Sequence, residues 1–173
     1  IINLDQWFKD FIINELVILK EEIEKLKNQD LINFCLIALS SIIVNVSNQD
    51  SDTRYVRVPK NLKKMVVFEK LVRQLNKMKK VMKDSHNELS KGKSDFKVAD
   101  TRNAGIFKED SAHLAMTSPP YPNAYDYHLY HKYRLFWLGM NPYDLRKKEI
   151  GAHADYSKKN GPNEFDFQND MEQ

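Results

Sequence analysis

The chain has 173 residues, 42% hydrophobic and 29% charged, with five glycines and one cysteine. That balance excludes a wholly disordered, collagen-like or mucin-like polypeptide, and the length suits one ordinary domain or part of one. The net charge of +3 conceals an asymmetry, because Lys60 to Lys93 carries eleven Lys and Arg against Glu69, Asp84 and Glu88, a local +8 that leaves −5 elsewhere. A basic stripe in an otherwise acidic chain is the footprint expected for a polyanion partner, although lysines also line ordinary solvated helix faces.

Asn3 to Lys27 places Leu4, Trp7, Phe8, Phe11, Leu16, Leu19, Ile23 and Leu26 at mostly helical spacing, with Glu21 and Lys25 paired on the other side. Asp30 is the expected N-cap of a second helix running through Val46, apolar on most sides and so central to the packing. Its stretch from Phe34 to Val46 is broken by Ser40, Ser41 and Asn45 and falls short of the roughly 20 residues that cross a bilayer, so no membrane span is expected. Cys35 has no partner for an internal disulfide, which favours an intracellular chain. The start at Ile1 rather than Met, without a signal-peptide pattern, leads us to expect upstream sequence.

The polar run Ser47 to Thr53 ends the second helix. Pro59 suits the first turn of a third and Gly92 its exit, with Met65, Phe68, Val72, Leu75, Met78 and Met82 as the expected core-facing stripe. After Gly92 the spacing predicts two short strands, Phe96 to Ala99 and His113 to Thr117, whose connection is long enough to allow a parallel pair. Leu129, Tyr133, Phe136 and Trp137 form another helical stripe, closed by Gly139. The tail from Tyr156 is polar and acidic.

The residues that carry chemistry follow the second predicted strand: Thr117-Ser118-Pro119-Pro120-Tyr121. Neither proline can donate to a sheet ladder, so they stop the strand and stiffen the next stretch, leaving carbonyl oxygens free to meet a ligand, while Tyr121 adds a flat face. This motif resembles the catalytic turn of the S-adenosylmethionine-dependent DNA amino-methyltransferases, which methylate cytosine N4 or adenine N6. The resemblance extends to Val98-Ala99-Asp100-Thr101-Arg102, to Asn123-Ala124-Tyr125-Asp126-Tyr127-His128, to Tyr133 through Gly139 and to Glu149-Ile150-Gly151, and more loosely to the helical stretch before them.

The resemblance implies roles residue by residue. The Ser118 hydroxyl and the Pro119 carbonyl would accept the two N–H groups of an exocyclic amine, favouring the pyramidal nitrogen that attacks a methyl group. Pro120 would keep that geometry stiff, and Tyr121 would stack on a base flipped from the duplex. Asp100 would take the cofactor's adenine amino group, with Thr117 beside it. Tyr125 and Tyr127, with Lys77, Lys80 and Lys83 of the basic stripe, would contact double-stranded DNA. Ser118, where adenine-specific relatives more often carry Asp or Asn, leans the substrate toward cytosine N4. His128 and His131 lack a third ligand at metal-binding spacing, so no metal is expected and both are read as surface or substrate-facing.

One departure from the family stands out. Its glycine-rich cofactor turn is missing, since the glycines at 92, 105, 139, 151 and 161 are too far apart to form it. The expected protein is therefore an α/β fragment: an N-terminal helical bundle followed by part of a Rossmann-like methyltransferase sheet, divided as 1–58 helical region, 59–93 basic helix, 94–155 catalytic part and 156–173 polar tail. The intact protein would be a prokaryotic, cytoplasmic, site-specific DNA methyltransferase of a restriction-modification system. Two alternatives remain open, a non-catalytic helical nucleic-acid-binding or interaction module and an N-methyltransferase acting on RNA or a protein amide.

Overall fold

The computed structural model describes residues 2–100, 108, 111–118, 121 and 125–153, and within them mixes helices with one small antiparallel sheet. The chain divides into two units, Ile1–Gly92 with Leu129–Pro142, and Lys93–His128 with Tyr143–Gln173. The polar tail expected from 156 lies outside the described residues.

In the first unit, α1 (Asp10–Glu24), α3 (Val66–Leu89) and α5 (Lys132–Trp137) pack around α2 (Gln29–Val46). The periodicity that makes each an amphipathic helix decides what it buries. Phe8, Ile12 and Leu16 on the α1 side meet Leu39, Ile43 and Val46 of α2, Val67 of α3, and Tyr133 and Trp137 of α5. Each Leu or Ile taken fully from water contributes about 1.5–3 kcal/mol before conformational entropy is subtracted. By length and composition alone α2 would qualify to cross a membrane, but here it is the central helix of the core.

Leu129–Pro142, expected with the catalytic part of the chain, belongs to this first unit because its aromatic side chains complete the core: Phe8 meets Tyr133 and Trp137 edge-on. The helix expected to carry Leu129, Tyr133, Phe136 and Trp137 is broken at His131 into α4 (Tyr127–Tyr130) and α5. Gly139 ends α5 as expected, at φ +76°, where the Met140 N–H reaches the Leu135 carbonyl at 2.8 Å and its own N–H reaches Phe136 at 3.0 Å.

Three local expectations are corrected. Asn28, not Asp30, caps α2, its side chain accepting the Leu31 N–H at 2.9 Å. The run Ser47 to Thr53 does more than end a helix, since β1 (Gln49–Ser51) pairs antiparallel with β2 (Arg54–Arg57), held in place by Tyr55 stacking on Trp7 at 4.6 Å. The α3 core stripe is Val67, Leu71, Leu75 and Met78: Leu75 and Met78 face the core as expected, but in the first half of the helix Val67 and Leu71 take the places expected of Phe68 and Val72, and Met65, Val72 and Met82 are exposed. The cause is the way α3 begins. Buried Glu15 of α1 accepts the Met65 and Val67 N–H groups at 2.6 and 3.0 Å, with Met65 left-handed at φ +71°, and this turns Val67 inward.

In the second unit, Phe96 to Ala99 and His113 to Thr117 carry neither helix nor strand. A strand needs a neighbour to take its N–H and C=O groups, and the one sheet among the described residues is the β1–β2 hairpin. Phe96, Val98, Leu114 and Met116 are 90%, 107%, 75% and 87% exposed. The unit also contains the start of α4 and most of α6 (Pro142–Lys148).

Candidate functional site

Of the motif residues, Thr117, Ser118 and Tyr121 are described and exposed, while Pro119 and Pro120 lie outside the described residues. Ser118 therefore offers its hydroxyl at the surface. Tyr121 continues into an aromatic ladder that joins all three tyrosines singled out from the sequence. Its ring meets Tyr125 at 6.2 Å and 62°, and Tyr125 meets Tyr127 at 5.6 Å and 40°. Tilted and edge-on contacts of this kind are favoured by the ring quadrupoles.

The ladder's backbone is tied down at Tyr125 and at Tyr127. The Tyr125 carbonyl accepts the His153 N–H at 3.2 Å. The Glu149 carboxylate accepts the Tyr127 N–H, the His128 N–H at 3.4 Å and the His128 ring at Nδ1, 2.6 Å away. These are nearly buried groups, the Glu149 side chain 4% and the His128 side chain 11% exposed. His128 is thus not the surface histidine expected from the sequence. An ionised carboxylate can only accept, so Nδ1 carries the proton and Nε2 is left as the other ring position. Sequence reasoning noted Glu149 only within Glu149-Ile150-Gly151; nothing in a separation of some twenty residues announces the pairing.

Asp100 is exposed and lines a cleft of about 510 Å³ with Val98, Ala99, Lys148 and Ile150. Its apolar walls and single carboxylate suit a flat heterocycle bearing an amino group, and Lys148 and Ile150 were not anticipated as its lining. Among the described residues no group of three or more His, Cys, Asp or Glu gathers as metal ligands would.

All of the basic stripe except Lys93 belongs to the first unit. Lys77, Lys80 and Lys83 are exposed along the polar face of α3, at helical positions that bring them onto one side. Lys60 leaves the stripe: its ammonium donates to the Val44 and Gln49 carbonyls at 2.7 and 2.6 Å, and desolvation holds its pKa below the ordinary lysine value. Burial likewise pushes the Cys35 thiol up, away from the reactive thiolate.

Compared with protein-family models, with curated proteins and with solved structures, the chain finds no match.

Proposed function

We propose that the chain is the part of an S-adenosylmethionine-dependent DNA amino-methyltransferase that carries the catalytic turn, with cytosine N4 favoured over adenine N6. The observation that carries this reading is the Tyr121–Tyr125–Tyr127 ladder beside an exposed Ser118, which joins the motif to two further aromatic residues named from the same resemblance. A flipped base needs a flat surface to replace its lost stacking and acceptors for its amino hydrogens. The ladder supplies the first. The Ser118 hydroxyl and, by the resemblance, the Pro119 carbonyl supply the second, orienting the amine lone pair along the line of attack.

The cofactor, when bound, supplies an electrophilic methyl group. The residues present fit it in part: Asp100, with Val98 and Ile150, would hold the adenine end in the 510 Å³ cleft, whereas no glycine-rich turn in this sequence would cradle the methionine end. The exposed Phe96, Val98, Leu114 and Met116 support a further part of the proposal, that these two segments are strands of a Rossmann-like sheet whose neighbours come from outside this sequence. The working setting is a site-specific enzyme of prokaryotic cytoplasm acting on double-stranded DNA within a restriction-modification system. A second reading, a helical nucleic-acid-binding module without transfer, is favoured by the lysine face of α3 alone.

The deciding experiment is methyl transfer to duplex DNA by this chain within its full gene product, followed by nucleoside analysis for N4-methylcytosine and N6-methyladenine. The expected product is N4-methylcytosine, and Ser118→Ala should cut the rate by about 10²–10³, the usual cost of one preorganised hydrogen-bonding partner of the reacting group. Retained parental rates in Ser118→Ala and Tyr121→Ala would defeat the assignment, and DNA binding without either modified base would favour the second reading.

A further inference from the structure

We infer that Glu149 is a positioning residue for the tyrosine ladder: by holding the start of α4 it sets the spacing at which Tyr125 and Tyr127 receive a planar base. The inference rests on the reading of the ladder as a base-stacking surface. It starts from the Glu149 carboxylate, 4% exposed, which makes all its described contacts with two consecutive residues, Tyr127 and His128. Two of these are backbone N–H groups at the first turn of a four-residue helix, too short to hold itself together in water. The third, the His128 Nδ1–H at 2.6 Å, is a side-chain donor to the same carboxylate oxygen that accepts the His128 N–H.

The tyrosine backbone is thereby anchored at Tyr127 by Glu149 and at Tyr125 by the His153 N–H, 3.2 Å from the Tyr125 carbonyl. Both anchors come from the short stretch after α6. The 5.6 Å separation of the Tyr125 and Tyr127 rings follows from that anchoring, because both are carried on backbone positions fixed by the same stretch of chain. A Gln at 149 keeps the volume and one acceptor, but it turns an NH₂ toward donors that the carboxylate accepted, so it loosens Tyr127 and His128 without creating a cavity.

The test uses the full chain and a dT dodecamer carrying one central 2-aminopurine, a base whose fluorescence falls when it stacks on an aromatic ring. Quenching is read at saturating protein, so that amplitude rather than occupancy is compared, and well below the melting temperature of each variant. The expected result is strong quenching by the parental chain and loss of at least half of it in Glu149→Gln. A merely structural role would lower the melting temperature and leave the amplitude unchanged, which would overturn the inference. Should Glu149→Gln not fold, His128→Phe, which removes the ring donor, is expected to lose at least half of the amplitude, and His128→Asn, which keeps a donor near the place of Nδ1, to regain most of it; equal quenching by both overturns the inference. If the parental chain binds the oligonucleotide without quenching, the stacking reading itself falls, and this outcome is distinct from one in which parental and Glu149→Gln chains quench alike.

Discussion

The unit formed by Ile1–Gly92 and Leu129–Pro142 buries Phe8, Ile12, Leu39, Ile43, Tyr133 and their neighbours in one continuous core, whereas among the described residues of the other unit only His128 and Ala152 are buried. The two hold their shapes by different means. In the first, non-directional apolar burial fixes helix against helix, and polar contacts such as Glu15 on the start of α3 adjust the register. In the second, a few directed hydrogen bonds from Glu149 and His153 hold the tyrosines, while Phe96, Val98, Leu114 and Met116 face solvent. The lesson is that the residues proposed to do chemistry sit in the part of the chain with least core of its own, where a single polar side chain matters to geometry more than to stability.

Core truncation tests that contrast most severely. Leu39→Ala, at a fully buried position, should cost about 2–5 kcal/mol in urea unfolding. Val98→Thr, at a fully exposed one, should stay within about 0.5 kcal/mol of the parent. Equal losses would mean that the second unit has a core after all, and the comparison would fail.

Glu15→Gln comes next. It removes the charge that meets the positive end of α3 and leaves one of the two N–H groups, Met65 or Val67, facing an amide NH₂. A loss of about 1–3 kcal/mol is expected from leaving a buried donor unsatisfied. Far-UV circular dichroism should show the loss concentrated in helix, and an unchanged midpoint would show that Glu15 only decorates the start of α3.

These same residues show what was legible in advance. The apolar spacing of Phe8, Leu16, Leu39 and Ile43 marked the helices and their buried faces, because a 3.6-residue repeat is a property of the sequence itself. The β1–β2 hairpin was not legible, since strands of three and four residues, Gln49–Ser51 and Arg54–Arg57, carry too few side chains to alternate and the loop lacks an Asn-Gly signal. The register of the first turns of α3 was missed by one residue, Val67 and Leu71 standing where Phe68 and Val72 were expected, because it depends on Glu15, some fifty residues away. In the candidate site the motif Thr117 to Tyr121 was visible as a run of residues, and the ladder's three tyrosines were each named, but the clasp at Glu149 depends on a pairing across 21 residues that no local pattern encodes.

The lysine face of α3 tests the proposed division of function between the two units. Replacing Lys77, Lys80 and Lys83 with Gln should weaken binding to all duplexes alike and flatten the salt dependence by a log–log slope of about 0.9 for each phosphate no longer neutralised. The 2-aminopurine quenching at saturation should be retained, because phosphate contacts position a strand without stacking its bases. An unchanged salt slope would return these lysines to the role of a solvated helix face.

The smallest effect expected is a pH dependence confined to the first unit. Lys60 sits partly desolvated between the Val44 and Gln49 carbonyls, and that desolvation lowers its pKa from the ordinary 10.5. Between the lowered native value and 10.5 the unfolded chain binds more protons at this residue than the native one, so its contribution makes stability rise with pH across that window. Below the window both states carry the proton and the cost of desolvating the ammonium is present in full. Above it both are neutral and the cost is gone. Lys60→Met should remove this upward slope from unfolding free energies measured in steps up to pH 10.5, while taking one donor from the Gln49 carbonyl and one from the Val44 carbonyl, which keeps the Ser47 N–H and hydroxyl, and so lowering stability at every pH. A slope that survives the substitution would assign the pH dependence to another group and leave Lys60 with only its hydrogen bonds.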